Sequence, residues 1–249
     1  MRAAYSLIFL ANAGMTLSAL FIPLLADELG LSFFELGIVG MAYGVASFFS
    51  YSIFGRLSDM KRRRRVFVRV GFAVAFVAFI LQLLMGDLFT MVVVRGFAGF
   101  AVGIFTFPLL AYASRFSHYR ERIGWFAGFG SLGWFAGYLL AGVLSSSQLG
   151  FTVAGALFFL GLLVSFGLGE VRERKVRMKS FWKVARRNLV VYSAYFLRHV
   201  GAYSLWIIFP LFLRDELGAT IFWVGAVHAL NTGSQFLLMG AIGRMAKRG

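Results

Sequence analysis

Four side chains stand where a chain this apolar has no ordinary use for charge. Arg95, Arg198, His199 and His228 each lie inside long apolar runs. At membrane depth a cation costs at least about 2–3 kcal/mol on insertion scales, so it calls for water, a partner or a ligand. Arg95 lies about 10 Å into its run at about 1.5 Å per residue, and it either marks a cavity or relay or snorkels outward along its stem. His199 and His228 are of the type that titrates near neutrality. No carboxylate lies deep in any run. Other polar residues recur at helical spacing. His199, Tyr203 and Trp206 share one face, as do Asn12 and Thr16, Tyr43, Ser47 and Ser50, and His228, Asn231 and Gln235. Such stripes suit the wall of a shared central cavity. The competing explanation is hydrogen bonding between helices, worth about 1 kcal/mol each, which for any single Ser or Tyr is the simpler reading. A separate cluster, GRLSDMKRRRR at 55–65, sets Gly55, Asp59, Arg63 and Arg64 together. Bases beside an apolar run anchor it at the membrane surface, but anchoring does not account for Asp59.

The elements that must carry these residues follow from composition. The chain has 249 residues, of which 60% are hydrophobic and 14% charged, and its mean hydropathy is +0.80. Soluble domains are roughly half apolar and a quarter charged, so this is an all-α polytopic membrane protein. Its net charge of +15 falls in short clusters between apolar runs and not over a solvated face, which speaks against a nucleic-acid partner. There is no cysteine, which excludes disulfides and thiolate metal sites. No metal cluster, phosphate loop or hydrolase signature appears, so neither an enzyme nor a cofactor is expected. The first run, beginning MRAAYSLIFLANAGMTL, reads as a retained helix and not a signal peptide.

A membrane-crossing helix needs about 20 mostly apolar residues. Eight segments qualify: 4–26, 33–55, 66–86, 88–113, 123–144, 149–169, 189–213 and 219–243. The runs are too long, and alternate too little, for barrel strands. Apart from Arg95, Arg198 and Arg214, every Lys and Arg lies at the N-terminus, after the second, fourth and sixth runs, at the C-terminus, or within a turn of these places. Asp27, Glu28, Glu35, Asp87, Asp215 and Glu216 lie on the other side with Arg214. The bias of bases puts both termini in the cytoplasm and the chain in the cell membrane. Residues 170–187, with Phe181 and Trp182, form either an amphipathic surface segment or a flexible basic linker.

The chain repeats itself. Tyr5, Ser6, Phe9, Leu10, Gly14, Pro23 and Leu24 recur 187 residues later (192 less 5) as Tyr192, Ser193, Phe196, Leu197, Gly201, Pro210 and Leu211. One inserted residue later, DELG at Asp27 pairs with DELG at Asp215, and Gly55-Arg56 pairs with Gly243-Arg244 in the closing GRMAKRG, where Lys247 replaces Asp59. Six runs separate the copies, so they share one topology and an axis along the membrane normal.

Two parallel six-helix halves with G-x-L-S-D and bases between the second and third helices resemble the major facilitator superfamily of secondary transporters. The resemblance implies a half at 1–169, a cytoplasmic loop at 170–187 and the first two helices of a second half at 188–249, with helices 9–12 missing. It makes Gly55, Asp59, Arg63 and Arg64 a gate in which the acid contacts the other half, with Met60 and Arg62 departing from the usual base and turn glycine. RGFAGFAVG from Arg95 resembles the family's helix-4 arginine, linked there to proton transfer. Gly133, Gly137 and Gly142 in GWFAGYLLAG resemble its antiporter helix-5 motif, with Tyr138 in place of proline, although packing alone explains such glycines. The implied function is alternating-access transport of a small molecule, best as ion-coupled efflux of a lipophilic or drug-like compound. Proton-coupled uptake of a sugar or organic anion is the alternative, and a truncated, non-transporting remnant is a third. The cavity residues expected are Asn12, Thr16, Tyr43, Arg95, Arg198, His199, Tyr203, His228, Asn231 and Gln235. The partners expected are lipid, the solute and protons or another coupling ion.

Overall fold

A computed structural model describes residues 1–114, 119–169 and 186–245, with the side chains of 119–121 and 239–245 left out. Residues 170–185 of the expected central loop at 170–187, and Lys247, lie outside the described residues, as do the side chains of Gly243 and Arg244. The described residues form eight α-helices and no strand: α1 (Arg2–Glu28), α2 (Phe33–Lys61), α3 (Arg64–Ile80), α4 (Leu88–Ala113), α5 (Tyr119–Leu144), α6 (Ser147–Ser165), α7 (Leu189–Asp215) and α8 (Ile221–Met245). Seven of them are long and apolar enough to cross a membrane. The eighth, α8, is as long, but His228, Asn231, Thr232, Ser234 and Gln235 interrupt its apolar run.

Two predicted boundaries shift for identifiable reasons. The GRLSDMK segment, expected as a loop, is the last two turns of α2. Charged side chains there reach past the apolar zone without breaking the helix, and the connection to α3 is only Arg62 and Arg63, with Arg62 left-handed at φ 53°. At the other end, the run expected to reach residue 86 tightens after Ile80 into a 3-10 turn, Leu81–Leu84. That turn places Gln82, 1% exposed, against Ser18 of α1.

Helix starts are fixed by local chemistry. Ser32 and Glu35 form a reciprocal capping box at the start of α2, and Asp87 and Thr90 form another on α4. The Thr90 N–H and hydroxyl, both bonded to the Asp87 carboxylate, hold its pKa below the usual carboxylate value. Odd-numbered helices start at the end of the bundle that carries the bases, and even-numbered helices start at the acidic end.

The core is built around α1, which is apolar on every side and buried along most of its length. It packs on α5 and α6, α3 packs on α4 and α6, α2 on α4, and α8 on α5. Lipid is as apolar as leucine, so close approach and hydrogen bonds hold such a bundle, not expulsion from water. At the basic end the arginines serve this purpose. Arg64, 4% exposed, pairs with Asp59 and donates to the Ala111 carbonyl of α4, Arg65 donates to the Leu168 carbonyl, and Arg69 donates to the Ser165 carbonyl of α6. These carbonyls lie at or just past the C-terminal ends of α4 and α6, where cations complement the helix dipoles.

Candidate functional site

The α2–α4 seam is set by α4 glycines. A methyl on Gly99 would overlap the Tyr43 carbonyl oxygen, and one on Gly103 would overlap Ser50, whose hydroxyl donates to the Phe100 carbonyl at 2.6 Å. With the backbones this close, the Tyr43 ring lies under Arg95, 4.3 Å from Cζ to centroid, at cation–π distance. The Tyr43 hydroxyl reaches Met15 Sδ of α1 at 3.6 Å, which holds the ring from a third helix. Arg95 is only 8% exposed. Tyr203 of α7, 69% exposed, is within electrostatic range of Tyr43, Tyr51 and Tyr138.

A second cluster sits where α5, α7 and α8 meet. His228, 2% exposed, has Tyr138, Trp206 and Phe209 around its ring at centroid distances of 4.9, 5.1 and 5.2 Å. Its Nδ1 donates to the Val224 carbonyl, which holds the ring within this aromatic box. Tyr138, Phe209 and Thr232 escape a search for polar stripes. Tyr138 stands out in the sequence only as the residue replacing a proline.

Other expected cavity residues are placed differently. Asn12 donates to the Gly130 carbonyl of α5, while the Thr16 hydroxyl donates to the Asn12 carbonyl of its own helix at 2.8 Å and lies 3.4 Å from the Trp134 carbonyl, so this α1 stripe faces the α5 seam. Gly133 meets the Phe9 backbone there and Gly137 meets Thr16 and Ala13, while Gly142 meets Phe222 of α8. The helix-5 glycines thus act as packing surfaces toward two helices. On α7, Arg198 is exposed, and His199 stacks on Tyr195 with centroids 3.7 Å apart and donates to its carbonyl. The α8 stripe splits: His228 is buried, Asn231 exposed and Gln235 half-buried.

Of the expected gate residues, Gly55, Asp59 and Arg64 come together at the basic ends of α2 and α4, and Arg63 is exposed beside them. Asp59 pairs within its own repeat, with Arg64. Beside it a groove of about 900 Å³ opens, lined by Phe48, Tyr51, Gly55, Asp59, Phe107 and Ile123 among others. At the acidic end Arg214 of α7 bridges Asp27 of α1 and its own neighbour Asp215.

No curated protein matches this chain. The family model described as Major Facilitator Superfamily matches residues 4–249, nearly the whole length. With its membrane-length helices, the chain is a multi-pass membrane protein that belongs to the Major Facilitator Superfamily of transporters.

Proposed function

We propose that this protein moves a small molecule across the cell membrane by alternating access, with its basic end in the cytoplasm. The supporting observation is the way the repeated helices meet. At the acidic end α7 is buried through Pro210, Leu211 and Leu213, and Arg214 joins it to α1. Toward the basic end residues 189–198 of α7 are exposed, although α8 stays on α5 from Gly142 and Phe222 down to Gly128 and Phe236. Firm contact of α7 at the acidic end and its exposure toward the basic end, beside a continuous α5–α8 seam, suit one limb of such a cycle. Asp59 then serves the opposite limb, when the basic ends come together. The aromatic side chains of Tyr43, Tyr51, Tyr138 and Trp206 suit a lipophilic or aromatic solute, and the glycine-rich α5 suits export coupled to an ion. A second reading, proton-coupled uptake of an organic anion or sugar, is favoured by Arg95.

The test is solute movement in proteoliposomes, using a panel of aromatic solutes with and without an imposed pH gradient. Gradient-dependent movement is expected, and Asp59→Asn slows it several-fold while leaving a folded protein. Movement of no solute removes the transport reading. Unchanged rates in Asp59→Asn return that residue to a purely structural pairing with Arg64.

A further inference from the structure

The two buried arginines of the bundle are treated very differently. Arg64 has Asp59 and the Ala111 carbonyl as acceptors. Arg95, as deeply placed, makes no hydrogen bond to any described residue; the sealed Nε is common to both side chains, and the difference lies at the Nη atoms. The Tyr43 ring covers one face of the guanidinium. A ring face attracts a cation, but it offers no lone pair in the guanidinium plane, where five N–H donors point. An ion buried without acceptors is among the costliest arrangements a membrane helix can carry, and it is tolerated where function requires it. The Nη atoms are not among the sealed ones, so that end is where an acceptor would bond.

The arrangement is also rigid. Gly99 and Gly103 hold α2 against α4, and Met15 of α1 holds the Tyr43 hydroxyl, so three helices fix the ring and the ring fixes the cation. A planar fork of donors with a fixed aromatic plate beneath it matches a carboxylate attached to a flat ring, through two parallel N–H···O bonds.

We propose that Arg95, held on Tyr43, is the docking point for the carboxylate of a small aromatic acid, and that the transported solute is an organic anion and not a neutral or cationic lipophile. This rests on the transporter reading and names the class of its solute. Arginine keeps its proton throughout, so its part is that of a fixed positive contact.

The test is equilibrium binding of radiolabelled benzoate to the full chain in phosphatidylcholine nanodiscs, with benzamide and benzylamine as competitors of the same size. Saturable benzoate binding is expected, with benzamide needing at least about tenfold more to displace it and benzylamine not competing. Arg95→Gln weakens benzoate at least about tenfold, Arg95→Lys less, and Tyr43→Leu weakens it too, with thermal melts reporting the fold of each variant. The wild-type comparison of acid against amide needs no variant to fold. No saturable benzoate binding, equal displacement by benzamide, or a folded Arg95→Gln of unchanged affinity overturns the proposal. Adding phosphatidylglycerol separates the two sources of an anion: unchanged affinity supports a soluble acid, and loss of benzoate assigns Arg95 to a lipid headgroup and overturns it. Arg95-dependent binding without transport in proteoliposomes would remove the transporter reading and leave the docking site. Transport of other solutes without benzoate binding would do the reverse.

Discussion

Arg62 holds a left-handed backbone, φ 53° and ψ 29°, at the end of α2, where its Cβ crowds the following carbonyl. That conformation costs a non-glycine residue about 1–2 kcal/mol, and glycine returns part of the gain as extra freedom in the unfolded chain. Arg62→Gly is therefore expected to stabilise the protein by about 0.5–1 kcal/mol, read as a higher melting temperature in detergent. Loss of stability would mean that the Arg62 side chain holds something the turn needs. This residue was visible in the sequence as the base standing where a turn glycine is usual, and the backbone angle supplies the physics. Polar residues inside the apolar runs were harder to read. Asn12 and His228 occupy equivalent settings in hydropathy, yet one bonds to the Gly130 carbonyl and the other sits in an aromatic box. Spacing says which residues share a face, and only the neighbouring helix decides whether that face is a seam or a cavity.

Helix faces carry most of the stability because lipid provides none of the usual hydrophobic drive between them. Where α1 meets α5, a methyl at Gly137 would overlap Thr16 Oγ1 and the Ala13 carbonyl, both on a helix with no room to retreat. Gly137→Ala is expected to destabilise the bundle by about 1–3 kcal/mol, as overpacking does elsewhere. Gly37→Ala, where nothing lies within 4 Å of the added methyl, serves as the control and should melt like the wild type. Equal melting temperatures for the two variants would show that the α1–α5 seam can spread at no cost. Helix existence was legible from run length and the breaks at 27–30 and 86–87 from their turn and charge residues, whereas Ser32 and Asp87 emerged as caps only in the structure. The basic end of α2 was not legible, because its charges resemble a loop in hydropathy while remaining compatible with helix. Nor did sequence reveal that Arg65 and Arg69 would reach carbonyls near the end of α6 more than 90 residues away.

Across the whole molecule the repeat appears in the backbone itself. α1 and α7 are both 27 residues long, each is interrupted by a proline at the matching position, Pro23 and Pro210, and each is followed by a left-handed glycine, Gly30 at φ 70° and Gly218 at φ 62°. The copies then part company, since α1 lies between α5 and α6 whereas α7 touches the rest mainly through its acidic end. Arg214 and Asp27, 28% and 50% exposed, bridge the two copies there. An exposed pair of this kind is worth about 0–1 kcal/mol, enough to bias two conformations but not to lock one. The chain lacks cysteine, so Leu29→Cys with Leu217→Cys gives a clean pair of spin-label sites across this bridge. Arg214→Ala should lengthen and broaden the measured distance, and an unchanged distribution would leave the bridge without a conformational role. Screening shrinks from about 10 Å at 0.1 M salt to about 3 Å at 1 M, and the bridge is open to the medium. Under the proposed alternating access, the resting shape is therefore expected to follow the salinity at the acidic face, brine favouring the opening that a dilute medium holds shut.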